Sequence, residues 1–394
     1  MNKQNKPSLF SSAFYNNPEN RAIIYQIIAL LTIGLFTYFV INNMFINIEK
    51  RGINTGFDFL SSEAGFGILQ SLIAYDESDS HGQVFIVGLL NTLLVSGIGI
   101  VLASIFGLLV GVGRLSSNWM VSKLSMVYVE TFRNIPILLQ ILFWYNVVLA
   151  ALPSPKQSIS FFDSIFFNNR GLYIPKPLLE SGFIWVGISF ILAIIAVIYL
   201  SSWAKKRHDE TGEEYPLFYV SLAILILGPT LVYFLSGTPA TLEYAQLKGF
   251  NFRGGWTLIP ELLALAFALS IYTATYIAEA VRAGIESVPQ GQKEAAHALG
   301  LKESVVLKKV VLPQALRVII PPVINQYLNL VKNSSLATAI GYPELVTIFS
   351  GTSLNQVGQA IEIILMTMAV YLTLSIIISI LMNYINKRMQ IKER

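Results

Sequence analysis

EAAHALGLKESVVLKKVVLP, residues 294–313, is a polar, helix-forming stretch set between two long apolar runs. A polar insertion of this kind between hydrophobic spans is expected to face the cytoplasm and to touch something there. Pro289 suits the first turn of a helix, Glu294 lies near its positive end, and Gly300 fits the left-handed position that terminates it. Ala295, Ala296 and Ala298 give this helix a small-residue surface that a partner can approach closely. Gly291 and Gly300 let the chain turn sharply at each end. A second helix is predicted from about Glu303 toward Pro313. Spacing alone leaves two readings open: a docking helix for a partner, or an amphipathic helix resting on the membrane surface.

Working outward, the 394 residues are 54% apolar and only 13% charged. Each run of roughly 20 apolar residues matches the thickness of a bilayer core. The predicted fold class is therefore all-α, a polytopic transmembrane helical bundle. About eight spans are expected, near 22–42, 84–112, 124–151, 182–203, 215–236, 257–280, 315–340 and 360–385. Lys and Arg of the two ends and of the loops near 114–123, 204–207 and 282–317 number eighteen, against seven in the alternate loops. By the positive-inside rule both termini are cytoplasmic. The first span follows a polar stretch without a small-residue cleavage site, and is expected to be retained.

The net charge of +4 reflects this topology. Basic residues are dispersed without interleaved aromatics, so no nucleic-acid partner is implied. With no cysteine there is no disulfide, thiolate nucleophile or cysteine metal site. Residues 43–83 read as a solvated external connector. Residues 153–181, broken by Pro153, Pro155, Pro175 and Pro177, are expected to be an irregular external segment. Lys205 to Glu210 reads as a cytoplasmic anchor. Gly107-x-x-x-Gly111, in a row with Gly97, Gly99 and Gly113, reads as close helix packing in lipid and not as a nucleotide fingerprint. No G-x-x-x-x-G-K-[ST] loop occurs, so any ATP must be handled by another subunit.

Glu294-Ala295-Ala296, three residues, Gly300, nine residues, Val310, one residue and Leu312-Pro313 resemble the EAA loop of permease subunits of binding-protein-dependent ABC importers. Val310 is a conservative departure from the usual Ile. Tyr128 to Pro136, Ala278 to Gly284, Ser287 to Gln292 and Leu330 to Leu336 are similar to the polar amino-acid permeases. The extra first span and the insertion at 153–256 resemble the larger permease of the general L-amino-acid or glutamate/glutamine/aspartate/asparagine systems. The resemblance implies a type I importer core, built from 84–152 and 257–394 and carrying the EAA loop at about 284–313. Residues 1–83 then form a tail, span and loop, and 153–256 an inserted segment with two extra spans. It further implies that Gly291, Glu294, Ala295, Ala296, Ala298, Leu299 and Gly300 dock on an ATPase. Implied partners are an ATP-binding subunit dimer, a second related permease or a second copy, a periplasmic amino-acid-binding protein, the amino-acid substrate and membrane lipid. ATP and Mg are expected on the ATPase, none on this chain. The chain is expected to be a non-catalytic subunit of the bacterial inner membrane.

Within the spans, Lys332 is the costliest residue, since an ionised group near a helix centre costs roughly 2.5–3.5 kcal/mol on insertion scales. Asn325, Asn329 and Asn333 recur at i+4 as an amide stripe, with Gln326, Ser334 and Ser335 beside it. This group is expected on the translocation pathway or a subunit interface, Asn325 and Asn329 foremost as transient substrate contacts. Lys332 either attracts a carboxylate or pairs with Glu279 or Glu130 to hold two helices in register. Arg133 and Asn134 precede Pro136, which should kink or interrupt its helix. Glu130 with Arg133, and Glu279 with Arg282, are each spaced to pair, and together with Asn134 and Pro136 form a candidate gate or scaffold. Thr273, Thr275 and Tyr276 fit either the path or helix packing. An ion-coupled secondary transporter is the alternative, but it would need inverted repeats or deeply buried acids. An intramembrane enzyme would need carboxylate pairs or metal ligands in the spans, whereas His81, His208 and His297 fall in loops.

Overall fold

The computed structural model describes residues 18–52, 55–212 and 215–389; the outermost residues of both tails, with their share of the basic charge, lie outside this set. The helices in order are α1 (Pro18–Arg51), α2 (His81–Arg114), α3 (Trp119–Asn134), α4 (Ile137–Phe143), α5 (Phe183–Thr211) and α6 (Leu217–Leu235). There follow α7 (Pro260–Glu286), α8 (Gln290–Ala298), α9 (Glu303–Val306), α10 (Leu312–Asn333), α11 (Leu354–Val357) and α12 (Ala360–Met389). Wide π-helical turns at Trp144–Leu149, Leu307–Val311 and Val346–Ser353 extend or join them, and Ser334–Ile340 tightens to a 3₁₀ helix.

Among the described residues six helices are long and apolar enough to cross a membrane, and α3 with α4 makes a seventh if this pair, bent by 102°, is one span. The expected eighth, near 315–340, is present as the helix α10 but is too polar to join them. Arg317, Asn325, Gln326, Asn329 and Lys332 dilute its apolar residues. Near 124–151 the chain is broken, as Pro136 requires. Gln140, buried at the break, donates through Nε2 to the carbonyls of Phe132 and Ile135 at 2.8 and 3.0 Å, which have no helical donor there.

The bundle centres on α7, whose most apolar window is 67% buried, against 6% for α5 and 0% for α1 and α6. Glycines set its closest contact. A Cβ at Gly107 would lie 2.6 Å from the Ile277 Cβ, and one at Gly111 2.7 Å from the Val281 Cβ. The small-residue reading of the Gly107-x-x-x-Gly111 stretch thus corresponds to backbone-close packing of α2 on α7. Gly284 performs the same service for α10, receiving Ile319. α2 and α7 run parallel, because Arg114 at the end of α2 pairs with Glu279 near the end of α7. By contrast α5 and α6 pack chiefly on each other, and their remaining apolar surface is exposed.

The segment around 153–181 is not irregular. It forms β1 (Ile159–Phe161), β2 (Ile165–Asn168), β3 (Gly171–Ile174) and β4 (Lys176–Leu179), joined after α6 by β5 (Ala240–Glu243), β6 (Gln246–Lys248), β7 (Asn251–Arg253) and β8 (Trp256–Leu258). One sheet has the order β1-β2-β3-β8, and β4-β5 and β6-β7 form two-stranded ribbons, all antiparallel. The prolines are accommodated at the edges: Pro177 lies in a ribbon whose strands have one neighbour each. Phe166, Tyr173 and Phe252 stack into a small core, and Tyr173 donates to Asn251 Oδ1 at 2.9 Å. Burial raises the pKa of the Tyr173 hydroxyl, an effect the Arg170 guanidinium and the bond to Asn251 offset in part. These sheets adjoin the N-terminal end of α7, whereas α8 follows its C-terminal end.

Candidate functional site

The polar insertion folds as a helical hairpin. Pro289, in extended conformation at φ −56° and ψ 135°, sets the entry to α8. Gly300 at φ +74° ends it: its N–H donates to His297 O at 2.8 Å and the Leu301 N–H to Ala296 O at 3.3 Å, the paired bonds of a Schellman turn. Gly291 lies inside the helix at negative φ, so the sharp turn at this end belongs to Pro289 and not to Gly291. Ala296 is also displaced from the expected docking surface. At 5% exposure it packs into the main core, since the helix must bury one face to be held against the bundle. Gly291, Glu294, Ala295, Ala298, Leu299 and Gly300 are exposed, Leu299 at 79% as an apolar side chain projecting from the helix end. The second helix leads at Leu312-Pro313 into the next long helix. It runs through the wide turn Leu307–Val311 into α10, with Pro313 in the first turn, where its missing N–H is not needed. Gln314 donates to Gln292 Oε1 and to Val310 O, tying the two arms together.

Above this hairpin the helix ends are joined by charge. Glu279 accepts hydrogen bonds from both Arg114 and Arg282, and Arg282 also pairs with Glu286. The network ties α2 to α7 next to the connection into α8. Glu279 and Arg282 pair, but Lys332 reaches neither Glu279 nor Glu130 and forms no ion pair among the described residues. Glu279 is already occupied by two guanidinium groups, one of them 165 residues away in sequence. No ion pair joins Glu130 and Arg133 among the described residues either; Glu130 is exposed, while its carbonyl accepts from Asn134 Nδ2 at 2.7 Å.

A cavity of about 550 Å³ lies between the end of α10 and α12, lined among others by Lys332, Ser335, Val346, Thr367, Met368 and Tyr371. Of the expected pathway residues, Lys332 and Ser335 stand in its wall. Ser334 is fully buried, its Oγ donating to Val331 O at 2.7 Å. Asn325, Gln326 and Asn329 are not in this wall. Asn325 and Asn329 are exposed along α10 in line with Val318 and Pro322, whereas Asn333 is half-buried. Two i+4 steps drift about 80° around a helix, enough to carry Asn333 off the stripe.

A buried carboxylate behind the cavity wall was not legible in the sequence. Glu344 is fully buried, its carboxylate accepting from the N–H groups of Val346 and Thr347 at 2.9 and 2.8 Å, from Thr347 Oγ1 at 3.0 Å and from Tyr371 Oη at 2.9 Å. The turn before it is pinned to α2. Asn91 Nδ2 donates to Gln70 O and Pro343 O, both at 2.8 Å, and Thr92 Oγ1 accepts from the Leu345 N–H at 3.1 Å. Glu344 thus fixes Tyr371, which faces the cavity. Glu344→Leu leaves two backbone N–H groups unpaired in the interior, each at about 1–3 kcal/mol, and removes one partner of the Tyr371 hydroxyl. The expected result is a thermal midpoint lowered by more than ten degrees in detergent, followed by fluorescence size exclusion, with Glu344→Gln clearly less damaging. Equal midpoints for Glu344→Leu and wild type would refute this role.

A family model described as "binding-protein-dependent transport system inner membrane component" matches residues 215–391. The chain is 52% identical over 384 residues to a putative amino-acid ABC transporter permease protein, YhdX, of Escherichia coli (strain K12), covering 97% of this chain and 98% of that one. It is 48% identical to the general L-amino acid transport system permease protein AapQ of Rhizobium johnstonii, covering 98% and 96% respectively. It is 42% identical to the glutamate/glutamine/aspartate/asparagine transport system permease protein BztB of Rhodobacter capsulatus, covering 95% of both. The similarity runs through the β sheets and the α5–α6 hairpin as well as the core.

Proposed function

The chain belongs to the amino-acid ABC transporter permeases, and from that premise we propose that it is the larger permease of an importer for polar L-amino acids. The carrying observation is similarity over almost the whole chain to permeases of this enlarged layout. In this reading α8 docks through Leu299, Ala295 and Ala298 on a separate ATPase dimer, which holds ATP and Mg. Both termini and α8 face the cytoplasm, consistent with the excess of Lys and Arg on that side. A soluble receptor delivers the amino acid at the opposite face. The exposed stripe of Val318, Pro322, Asn325 and Asn329 meets a second, related permease or a second copy. Movement of α8 is passed to α7 and α2 through the Glu279 network, and the bundle alternates between outward and inward access.

The substrate carboxylate is assigned to Lys332 in the 550 Å³ cavity, with Ser335 and Tyr371 as hydrogen-bonding neighbours. Lys332→Met should raise the KM for ATP-dependent uptake about tenfold or more, the loss of one charge-assisted hydrogen bond of roughly 1.5–3 kcal/mol. Recovery of the ATPase with the tagged permease should be unchanged, and Lys332→Arg should keep part of the affinity. An unaltered KM removes Lys332 from the pathway.

The general test is affinity purification in mild detergent followed by reconstitution. Recovery of an ATPase and amino-acid uptake that requires ATP are expected. Uptake driven by an ion gradient without any ATPase would overturn the reading.

A further inference from the structure

A second cavity, about 540 Å³, opens at the other end of the molecule from α8. Its polar lining is Tyr145 and Asn146 after α4, Glu261 in the first turn of α7, and Asn169 and Arg170 in the turn between β2 and β3. We propose that this cleft is an entry site for a free α-amino acid, with Arg170 binding the carboxylate and Glu261 the ammonium.

Neither charged group is neutralised by an ion pair among the described residues, and the backbone that carries Arg170 is fixed. Asn168 Oδ1 accepts from the Arg170 N–H at 2.8 Å and the Asn169 N–H donates to Pro153 O at 3.0 Å, so the turn that carries Arg170 is fixed on the sheet. Gly171, at φ +127°, lets this turn press on the strand leading into α7: a Cβ there would strike Leu258 O. Arg170 forms no ion pair among the described residues. Tyr145 Oη donates to Glu261 Oε1 at 2.8 Å and orients the carboxylate, while Oε2 has no protein donor among the described residues. Asn146 donates its Nδ2 to Leu142 O at 3.1 Å and keeps its amide oxygen as an acceptor. A guanidinium and a carboxylate that line one cleft without bridging each other match a ligand carrying both charges. A simple anion would leave Glu261 repelled, and a simple cation would leave Arg170 so. Leu69 and Leu149 supply apolar wall for a side chain. The cleft volume lies within the range of small-ligand sites. Asn169 and Arg170 come from the inserted segment, whose role is then to hold the zwitterion between receptor and membrane cavity. The assignment rests on the topology proposed above.

Because the chain has no cysteine, Asn146→Cys provides a single label site. In right-side-out vesicles carrying the full chain, a membrane-impermeant maleimide should label Cys at this position, and millimolar L-glutamine or L-glutamate should slow labelling. Protection should weaken roughly tenfold or more in Arg170→Ala and Glu261→Gln, each removing a charge-assisted contact, and persist in Lys332→Met, which lies in the other cavity. Arg170 is an exposed side chain, so its variant keeps the test open if Glu261→Gln fails to fold. Outside labelling that no amino acid slows, or protection that survives Arg170→Ala, overturns the site. Labelling only in inside-out vesicles overturns the topology and with it the entry role.

Discussion

Replacing Gly300 by valine is expected to lower ATP-dependent uptake by at least tenfold while the chain still inserts and the bundle still folds. The cause is backbone conformation. Gly300 sits at φ +74° with nothing within 4 Å of the position a Cβ would take, so crowding plays no part. An L-residue is destabilised by about 1–2 kcal/mol in this region, and a β-branched one is a true outlier there. The penalty falls on the Schellman turn that aims Leu299, at the end of the helix proposed above to dock on the ATPase. Asparagine tolerates the left-handed region, so Gly300→Asn should retain most transport, and the contrast separates backbone strain from the mere presence of a side chain. Uptake and ATPase recovery should fall together in the valine variant. Wild-type uptake in Gly300→Val would sink the assignment of α8 as the coupling helix.

Gly300 also illustrates what could be read in advance. A glycine after a short polar helix, a proline before it and a proline within a span all act through local backbone rules, and α8, its left-handed end and the break at Pro136 appear where those rules put them. Apolar runs gave α2, α6 and α12 to within about four residues, and α5 and α7 with their C-terminal ends placed too early, because a bilayer demands length and hydropathy of each span separately while the helices continue past their apolar stretch. What failed depends on partners far away in sequence. β3 pairs with β8 across more than 80 residues, and strands of three or four residues carry too little alternation to announce themselves among prolines. Glu279 has the local spacing for Arg282, but its second partner, Arg114, is on another helix. Helical spacing alone could not reveal that occupancy, which leaves Lys332 to the cavity. Glu344 sits in a turn between two expected spans, where its neighbours Tyr371, Asn91 and Thr92 come from both sides of the bundle. A buried carboxylate satisfied by backbone N–H groups has no sequence signature until the turn geometry is known.

Gly111→Val should prevent recovery of a monodisperse folded chain, or lower its thermal midpoint by well over ten degrees. The added Cβ would meet the branched Val281 Cβ at 2.7 Å and the Ala278 carbonyl at 2.9 Å. Neither is the far end of a flexible side chain, so relief requires α2 and α7 to part. Overpacking ordinarily costs about 1–3 kcal/mol, and more where backbone must move. Here separation also pulls Arg114 away from Glu279, so the damage extends to the charge network at the same end of the helices. Gly97 lies on the same helix with nothing within 4 Å of its would-be Cβ, so Gly97→Val should cost little. This pair distinguishes close packing from a general intolerance of valine in α2, since hydropathy and helix propensity change alike at both positions. If both variants retain the wild-type midpoint, the glycine-mediated contact is not what holds α2 on α7. If both collapse alike, the cause lies in the helix itself and not in its contact with the neighbour.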